Sequence, residues 1–148
     1  MTKLLLIQGA NMEWLGLREP EHYGTTSAAE LDAMLQVEAK RRGITLDIRY
    51  TNIEGEAITW IYAAVRQGLD GLLFNPAGFI HTAFALRDCI RGTKVPAVEI
   101  HMTNIDKRGF HSATAEAAVG MVMGFGIDSY FVGLEAMMRH LAKAKDGQ

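Results

Sequence analysis

The chain has 148 residues, of which 49% are hydrophobic and 22% charged, so we expect one globular domain over residues 1–148. Its formal net charge of −2 gives no reason to expect nucleic acid or an anionic membrane as a partner, and no apolar run is long enough to span a bilayer. No secretory signal pattern is present and the single Cys89 cannot form an internal disulfide, which favours a cytoplasmic protein.

Strand-like and helix-like segments alternate along the chain. A continuous apolar run predicts a buried strand over residues 3–8. Ser27 and Glu30 have the pattern of a capping box, which predicts a helix that begins there and ends at Gly43. The loop between these two elements, residues 9–26, is unusually long for a strand-to-helix connection and is therefore a candidate functional loop.

The remaining elements continue this alternation. Apolar and polar residues alternate over residues 45–51, which predicts a half-buried edge strand, and a helix that Gly68 closes follows it. The pattern then predicts strands at residues 71–74, 95–100 and 119–125, a helix at residues 82–91, and a final amphipathic helix striped by Tyr130, Leu134, Met137, Met138 and Leu141.

This order of elements predicts an α/β fold, with a parallel sheet that carries helices on both faces. Five strands joined by right-handed crossovers favour a flavodoxin-like, doubly wound sheet in the order 2-1-3-4-5. In such sheets the site lies beyond the carboxyl ends of the strands, at the switch point between strands 1 and 3. Polar residues should then follow strands 1, 3 and 4, and the sequence places them there.

The loop after strand 1 carries Asn11, Arg18 and Tyr23. A tyrosine five residues after an arginine, in a loop bounded by proline and glycine, can hold a phenol near a guanidinium. A nearby cation favours the phenolate, which can act as a general base. The alternative interpretation is a surface loop in which Arg18 forms an ordinary salt bridge.

Further polar residues follow strands 3 and 4. Glu99 and His101 alternate at the end of strand 4 and therefore point to the same side, where a carboxylate can orient an imidazole that acts as a general acid. A histidine satisfied by a strand-end salt bridge is the commoner explanation of such a pair. Asn75 follows strand 3, and His81, at the start of the predicted helix, could help to bind an anionic group or simply cap that helix.

No metal, nucleotide or covalent-catalysis motif accompanies these residues. The histidines lack metal-ligand spacing, and the chain has no Walker loop, no G-x-G-x-x-G after strand 1 and no G-x-S-x-G. Cys89 lies in a helix-like segment and is predicted to pack rather than react. We therefore expect neither a metal nor a cofactor, with an FMN-binding flavodoxin-like protein as a weaker alternative.

Three long segments together resemble the type II 3-dehydroquinase (3-dehydroquinate dehydratase) family, over nearly the whole chain. They are residues 9–24 (GANMEWLGLREPEHYG), 75–88 (NPAGFIHTAFALRD) and 99–105 (EIHMTNI). The resemblance implies the flavodoxin-like fold and a lyase that eliminates water from 3-dehydroquinate through an enolate to give 3-dehydroshikimate. It also implies that the enzyme needs no cofactor or metal and assembles as trimers packed into a dodecamer.

The resemblance further implies a role for each candidate residue. Tyr23, assisted by Arg18, would remove a proton alpha to the ketone, and Asn11 would hold a water that stabilises the enolate. His101, oriented by Glu99, would protonate the departing hydroxyl. The remaining positions would bind the substrate carboxylate and hydroxyls, two of them through backbone amides and one from a neighbouring subunit: Asn75, His81, Met102 and Thr103 by their amides, Asp88 of the neighbour, and Arg108.

The chain departs from the family in the loop after strand 4, residues 104–112 (NIDKRGFHS), which is shorter than usual. Arg108 matches the first arginine of that loop, and the second, which contacts substrate hydroxyls, has no counterpart. Gln8 and Ala10 stand where the family usually has asparagine and proline. Two alternatives therefore stay open: a divergent paralogue that dehydrates a related carboxylated cyclic hydroxyketone, and a non-catalytic relative that binds a small acid. Either aromatic biosynthesis or quinate breakdown could be the pathway served.

Overall fold

The computed structural model describes residues 1–147 and contains five strands and five α-helices. In chain order these are β1 (Thr2–Ala10), α1 (Pro20–Tyr23), α2 (Ala28–Arg42), β2 (Ile44–Tyr50), α3 (Glu54–Arg66), β3 (Gly71–Ala77), α4 (Phe84–Thr93), β4 (Ala97–His101), β5 (Gly120–Met123) and α5 (Asp128–Asp146). All strand pairs are parallel and their order is β2-β1-β3-β4-β5. This confirms the predicted flavodoxin-like, doubly wound sheet.

The sheet divides the apolar core into two layers, because successive side chains of a strand point to opposite faces. β1 places Leu4 and Leu6 in the layer under α2 and α5, and Leu5 and Ile7 in the layer under α3 and α4. Central strands that are buried on both faces read as continuous apolar runs, which explains the sequence of β1. Both faces are therefore covered by helices, and the ends of the strands are left for a site.

The helix boundaries follow from capping contacts. The predicted capping box is present, since Ser27 Oγ accepts from the Glu30 backbone N–H at 3.1 Å, and Gly43 ends α2 with φ 68°. α4 begins at Phe84 rather than at residue 82, so the prediction that His81 starts this helix was wrong. The carboxylate of Glu54, the first residue of α3, accepts the Leu86 N–H at 3.0 Å and so caps α4 from another part of the chain.

The adjoining ends of β1 and β3 extend further than predicted. β3 continues through Asn75 to Ala77, where it still pairs with β1. Gly9 makes this close approach possible, since a Cβ atom added there would lie 2.2 Å from the carbonyl oxygen of Pro76. The last strand is shorter than predicted because Gly124, with φ 99°, turns the chain directly after Met123.

Two further observations bear on the expectations from composition. Cys89 is buried in the layer under α3 and α4, and burial raises the pKa of its thiol, as expected of a packing residue. Within residues 1–147, none of the helices is both long enough and apolar enough to cross a membrane.

We predict that Gly9→Ala destabilises the protein strongly, because the new methyl group would overlap the backbone of the neighbouring strand rather than a side chain that can move. The expected loss in the free energy of unfolding is about 3 kcal/mol or more, at the upper end of overpacking effects. Gly55→Ala is the matched control, since a Cβ atom at Gly55 meets nothing within 4 Å. It should stabilise the first turn of α3 by about 0.5 kcal/mol. Urea denaturation followed by circular dichroism measures both, and equal stability of the two variants would contradict the prediction.

Candidate active site

A cavity of about 240 Å³ lies at the carboxyl ends of β1, β3 and β4, where the switch-point rule places a site. Its walls come from the segment after β1, the turn after β3 and the loop after β4. Most of the residues predicted from the sequence line it: Asn11, Arg18, Tyr23, Asn75, His81, His101, Met102, Thr103 and Arg108. Three distant segments of the chain therefore meet in one small chamber.

Tyr23 lies between two guanidinium groups. It is the last residue of the single-turn helix α1, which Pro20 begins. The Cζ atom of Arg18 lies 4.9 Å from the centre of the Tyr23 ring, and Nη1 of Arg108 donates to the phenol oxygen at 3.2 Å. Cationic donors at this distance stabilise negative charge on the oxygen that accepts from them. The phenol is thus placed to carry negative charge and to accept a proton.

Arg108 belongs to the cavity, although the shortened loop made its placement from sequence difficult. Its Nη1 atom also donates to Thr103 Oγ1 at 3.1 Å, and its Cζ atom lies 4.7 Å from the centre of the Phe110 ring. Phe110 in turn meets His81 edge to face, with ring centres 5.2 Å apart. The short loop therefore holds its one arginine against the phenol of Tyr23 and lines the neighbouring wall with an aromatic ring.

Glu99 and His101 form a buried pair at the end of β4. Glu99 is fully buried and its Oε2 atom lies 2.5 Å from Nε2 of His101. The hydroxyl of Thr114 donates to the other carboxylate oxygen at 2.5 Å, and Ser112 lies 3.1 Å from that hydroxyl. Both oxygens of the buried carboxylate thus have partners, and Nδ1 is the nitrogen that His101 can offer to a ligand.

The wall formed by Asn75, Met102 and Thr103 can bind an anion. The backbone N–H groups of Met102 and Thr103 donate to no acceptor within residues 1–147. Asn75 is 3% exposed and presents its side-chain amide to the same cavity. Among the described residues that line the cavity there is no carboxylate, whereas Arg18 and Arg108 supply positive charge. The cavity therefore suits a small anionic molecule.

Asn11 occupies a left-handed turn, with φ 74°, between β1 and the rest of the candidate functional loop over residues 9–26. Its backbone N–H donates to Oδ1 of Asn52 at 2.8 Å, and Nδ2 of Asn52 donates to Glu13 at 2.7 Å. Asparagine tolerates this conformation better than most residues, and the two bonds hold it there. Asn52 thus positions a cavity residue from the loop after β2.

Sequence reasoning missed both Asn52 and Thr114. Asn52 follows the strand beside β1, so extending the strand-end rule to β2 would have found it. Thr114 lies in an irregular segment thirteen residues after His101, where neither periodicity nor a motif points to a contact with Glu99. Its role depends on how the loop folds back, which is visible only in three dimensions.

Asp88 is the one candidate residue that the fold leaves away from this cavity, on the described chain. Its side chain is 65% exposed on α4 and accepts from Nε of Arg87 at 3.0 Å.

Within residues 1–147, no group of three or more His, Cys, Asp or Glu side chains is arranged to hold a metal ion.

The fold and the cavity are those of an α/β enzyme that acts on a small anionic molecule. The family described as Dehydroquinase class II matches residues 2–138 of the chain. The chain therefore belongs to the class II dehydroquinase family, which confirms the resemblance, and it is an enzyme of the lyase class.

Individual relatives agree with this assignment. The chain is 42% identical over 146 residues to the 3-dehydroquinate dehydratase of Xanthomonas campestris pv. campestris, covering 97% of this chain and 99% of that one. It is 39% identical over 145 residues to 3-dehydroquinate dehydratase 1 of Pseudomonas putida, covering 96% of each. The crystal structure of type II dehydroquinase from Butyrivibrio crossotus superposes with a TM-score of 0.89 at 28% identity, over 92% of this chain and 97% of that one.

We predict that Thr114→Val destabilises the fold because it removes the donor to one oxygen of the buried Glu99 carboxylate. A lost hydrogen bond to a buried charged group costs about 1.5–3 kcal/mol. Thr59→Val is the matched control, since Thr59 is exposed on α3 and its hydroxyl bonds only to the Gly55 carbonyl. Its effect should stay within about 0.5 kcal/mol. Urea denaturation measures both variants, and a Thr114→Val protein as stable as Thr59→Val would show that Glu99 does not need this donor.

Proposed function

We propose that this chain is a type II 3-dehydroquinate dehydratase, which eliminates water from 3-dehydroquinate through an enolate to give 3-dehydroshikimate. One observation carries the proposal: a phenol held between two guanidinium groups and an imidazole backed by a buried carboxylate line the same small cavity. Family membership and the names of the relatives supply the substrate. A module that merely bound a small acid would need neither the base nor the acid.

In the first step the oxygen of Tyr23, as phenolate, takes the proton from the carbon next to the substrate ketone. The electron pair of the broken C–H bond moves into the enolate, whose oxygen carries the negative charge. Arg18 and Arg108 stabilise the phenolate before the transfer. Asn11 lines the cavity in its fixed turn and holds a water that hydrogen-bonds to the enolate oxygen.

In the second step the enolate expels the hydroxyl from the carbon beta to the ketone. His101, as imidazolium, donates a proton to that hydroxyl, so that water leaves and the enone forms. The Glu99 carboxylate stabilises the imidazolium before the transfer and fixes the ring orientation, while Thr114 holds the carboxylate. The proton taken by Tyr23 returns through water to His101, and the enzyme is ready for another turnover.

The substrate carboxylate binds to the wall formed by Asn75 and the backbone N–H groups of Met102 and Thr103. These donors and the two arginines complement the negative charge of the substrate. None of the described residues that line the cavity carries a carboxylate. His81 meets the ring of Phe110 edge to face and binds the hydroxyl groups of the substrate ring. Arg108 serves both the base and this hydroxyl side.

We further propose that residues 1–148 form a single domain, which assembles in the cytoplasm as trimers packed into a dodecamer. The family resemblance supports this, because it places Asp88 in a neighbour's cavity, and the exposed position of Asp88 on α4 is compatible with such a contact. The edge strand β5 also presents the exposed side chain of Met121, as expected of a surface that another subunit covers. The one free cysteine, buried in the core, is consistent with a reducing compartment.

We predict that Tyr23→Phe and His101→Ala each lower kcat for 3-dehydroquinate about 10²–10⁴-fold, the usual contribution of a general base or acid. The assay follows the absorbance of the enone product. Tyr62→Phe is the control for the loss of a phenol hydroxyl, because Tyr62 is exposed on α3, away from the cavity. Sedimentation should show twelve chains in the wild type and in each variant.

A folded wild-type dodecamer that leaves 3-dehydroquinate unchanged would overturn the proposed function. Wild-type turnover with an unaffected Tyr23→Phe variant would keep the function and reject the role of Tyr23. A similar loss in Tyr62→Phe would mean that the effect of the substitution is not specific to the cavity.

We predict that Arg108→Met lowers kcat/KM about 10- to 100-fold, because the phenol of Tyr23 loses a charged hydrogen bond worth about 1.5–3 kcal/mol. Methionine keeps an unbranched apolar stem of similar length to that of arginine and removes the guanidinium. Lys107→Met is the matched control, since Lys107 is the adjacent cation on the same loop but is exposed and does not line the cavity. Steady-state kinetics on 3-dehydroquinate compare the two variants. Equal losses in kcat/KM would mean that Arg108 acts only through its positive charge and not through its bond to Tyr23.

A further inference from the structure

Three polar side chains lie side by side beneath the cavity, one on each of three neighbouring strands. In the register of the sheet Tyr50 pairs with Gln8, and Gln8 pairs with Asn75. All three belong to the face that α2 and α5 cover, where strands normally carry apolar residues. Tyr130 of α5, 1% exposed, reaches the row from the helix side. Buried polar side chains are normally hydrogen-bonded, so the partners of this row can be traced atom by atom.

The hydrogen bonds at the cavity end of the row run in one direction. The backbone N–H of Ala77 donates to the side chain of Asn75 at 2.9 Å, and because a backbone N–H can only donate, the atom that accepts must be Oδ1. The other end of the amide, Nδ2, then donates to the hydroxyl oxygen of Tyr130 at 2.8 Å. The hydroxyl of Tyr130 in turn donates to Oε1 of Gln8 at 2.8 Å.

This direction is not reversible at the Gln8 end. Nε2 of Gln8 is a buried nitrogen without a partner among the described residues, so turning the amide around would seem to relieve it. The turned amide, however, would donate to a Tyr130 oxygen that already accepts from Asn75, and the Tyr130 hydroxyl would lose its acceptor. Burial raises the pKa of Tyr130 to about 12, so the hydroxyl remains a donor at neutral pH.

The consequence for the cavity is that Asn75 can offer it only an N–H group. One hydrogen of Nδ2 is engaged by Tyr130, and the other faces the sulfur of Met12 at 3.6 Å, which is a weak acceptor. Both Asn75 and Met12 line the cavity. A carboxylate oxygen of a ligand can replace the sulfur as acceptor. A ligand that presents a hydrogen-bond donor at this point finds no acceptor on Asn75, because the amide oxygen faces the Ala77 N–H.

We propose that Tyr130, backed by Gln8, is a positioning residue that holds Asn75 as a hydrogen-bond donor to the substrate carboxylate. The inference rests on the proposed function, since it assumes that the carboxylate lies against Asn75. Tyr130 does not touch the substrate and acts only by fixing the orientation of the amide. Its effect should therefore fall on binding rather than on the steps of proton transfer.

Tyr130→Phe tests this inference because it removes the hydroxyl that both accepts from Asn75 and donates to Gln8. KM for 3-dehydroquinate should rise about 3- to 10-fold, the range for one neutral hydrogen bond, while kcat stays within about twofold. Tyr62→Phe is the matched control: its exposed side chain lies on α3, outside this row and outside the cavity, so KM should not change. If Tyr130→Phe does not fold, Gln8→Leu removes the acceptor of Tyr130 instead and should raise KM in the same way.

A double substitution separates positioning from a general loss of structure. Asn75→Ala alone should raise KM, and Tyr130→Phe added to it should raise KM no further, because there is no amide left to orient. An unchanged KM in Tyr130→Phe, a fall in kcat equal to the rise in KM, or a further rise of the same size in the Asn75→Ala background would each overturn the inference.

A second readout needs no turnover and so separates this inference from the proposed function. In ¹⁵N-labelled protein without substrate, the side-chain amide protons of Asn75 should exchange with water faster in Tyr130→Phe than in the wild type or in Tyr62→Phe. Equal exchange rates would overturn the positioning role even in an active enzyme. Faster exchange in Tyr130→Phe, together with a wild type that does not act on 3-dehydroquinate, would support the positioning of Asn75 and reject only the proposed substrate.

Discussion

The close contact between the ends of β1 and β3 is the constraint on which the site depends. Gly9 lies so near the carbonyl of Pro76 that no side chain fits, and both strands therefore continue in register to Ala10 and Ala77. Asn75 becomes a buried strand residue instead of a loop residue, and Asn11 begins its turn at the strand edge. Asn75 is thus part of the rigid sheet and Asn11 directly adjoins it, which favours precise placement of these two groups.

The charged groups of the protein differ in how deeply they are buried and in how many partners they need. Glu99 is buried without solvent, so its charge is tolerable only because His101 and Thr114 occupy both of its oxygens. The Arg87–Asp88 pair on α4 lies in water and contributes little to stability. A buried carboxylate–imidazole pair that is costly to assemble and placed at a strand end is better explained by function than by folding, since an apolar pair would fill the same space.

The sequence predicted the topology and most of the cavity, because both depend on local patterns. Apolar runs and helical stripes alternate cleanly, and a parallel sheet brings the ends of its strands together whatever the loops do. The start of α4 was predicted wrongly because its cap, Glu54, comes from the first residue of α3, so that His81 precedes the helix. Thr114 and the contact of Arg108 with Tyr23 were not predictable, since they join segments 15 and 85 residues apart through irregular backbone.

The shortened loop after β4 shows how one residue can take on two tasks. With a single arginine available, the loop directs Arg108 towards Tyr23, where it adds to the charge of Arg18, and braces it with Thr103 and the ring of Phe110. A guanidinium has several donors in a fixed plane, so it can hold the phenol and still present N–H groups to a ligand. Phe110 offers no such donors, and the wall beside His81 therefore recognises shape more than hydroxyl groups. Under the proposed function, recognition of hydroxyl groups on that side of the substrate falls to His81 and to the remaining N–H groups of Arg108.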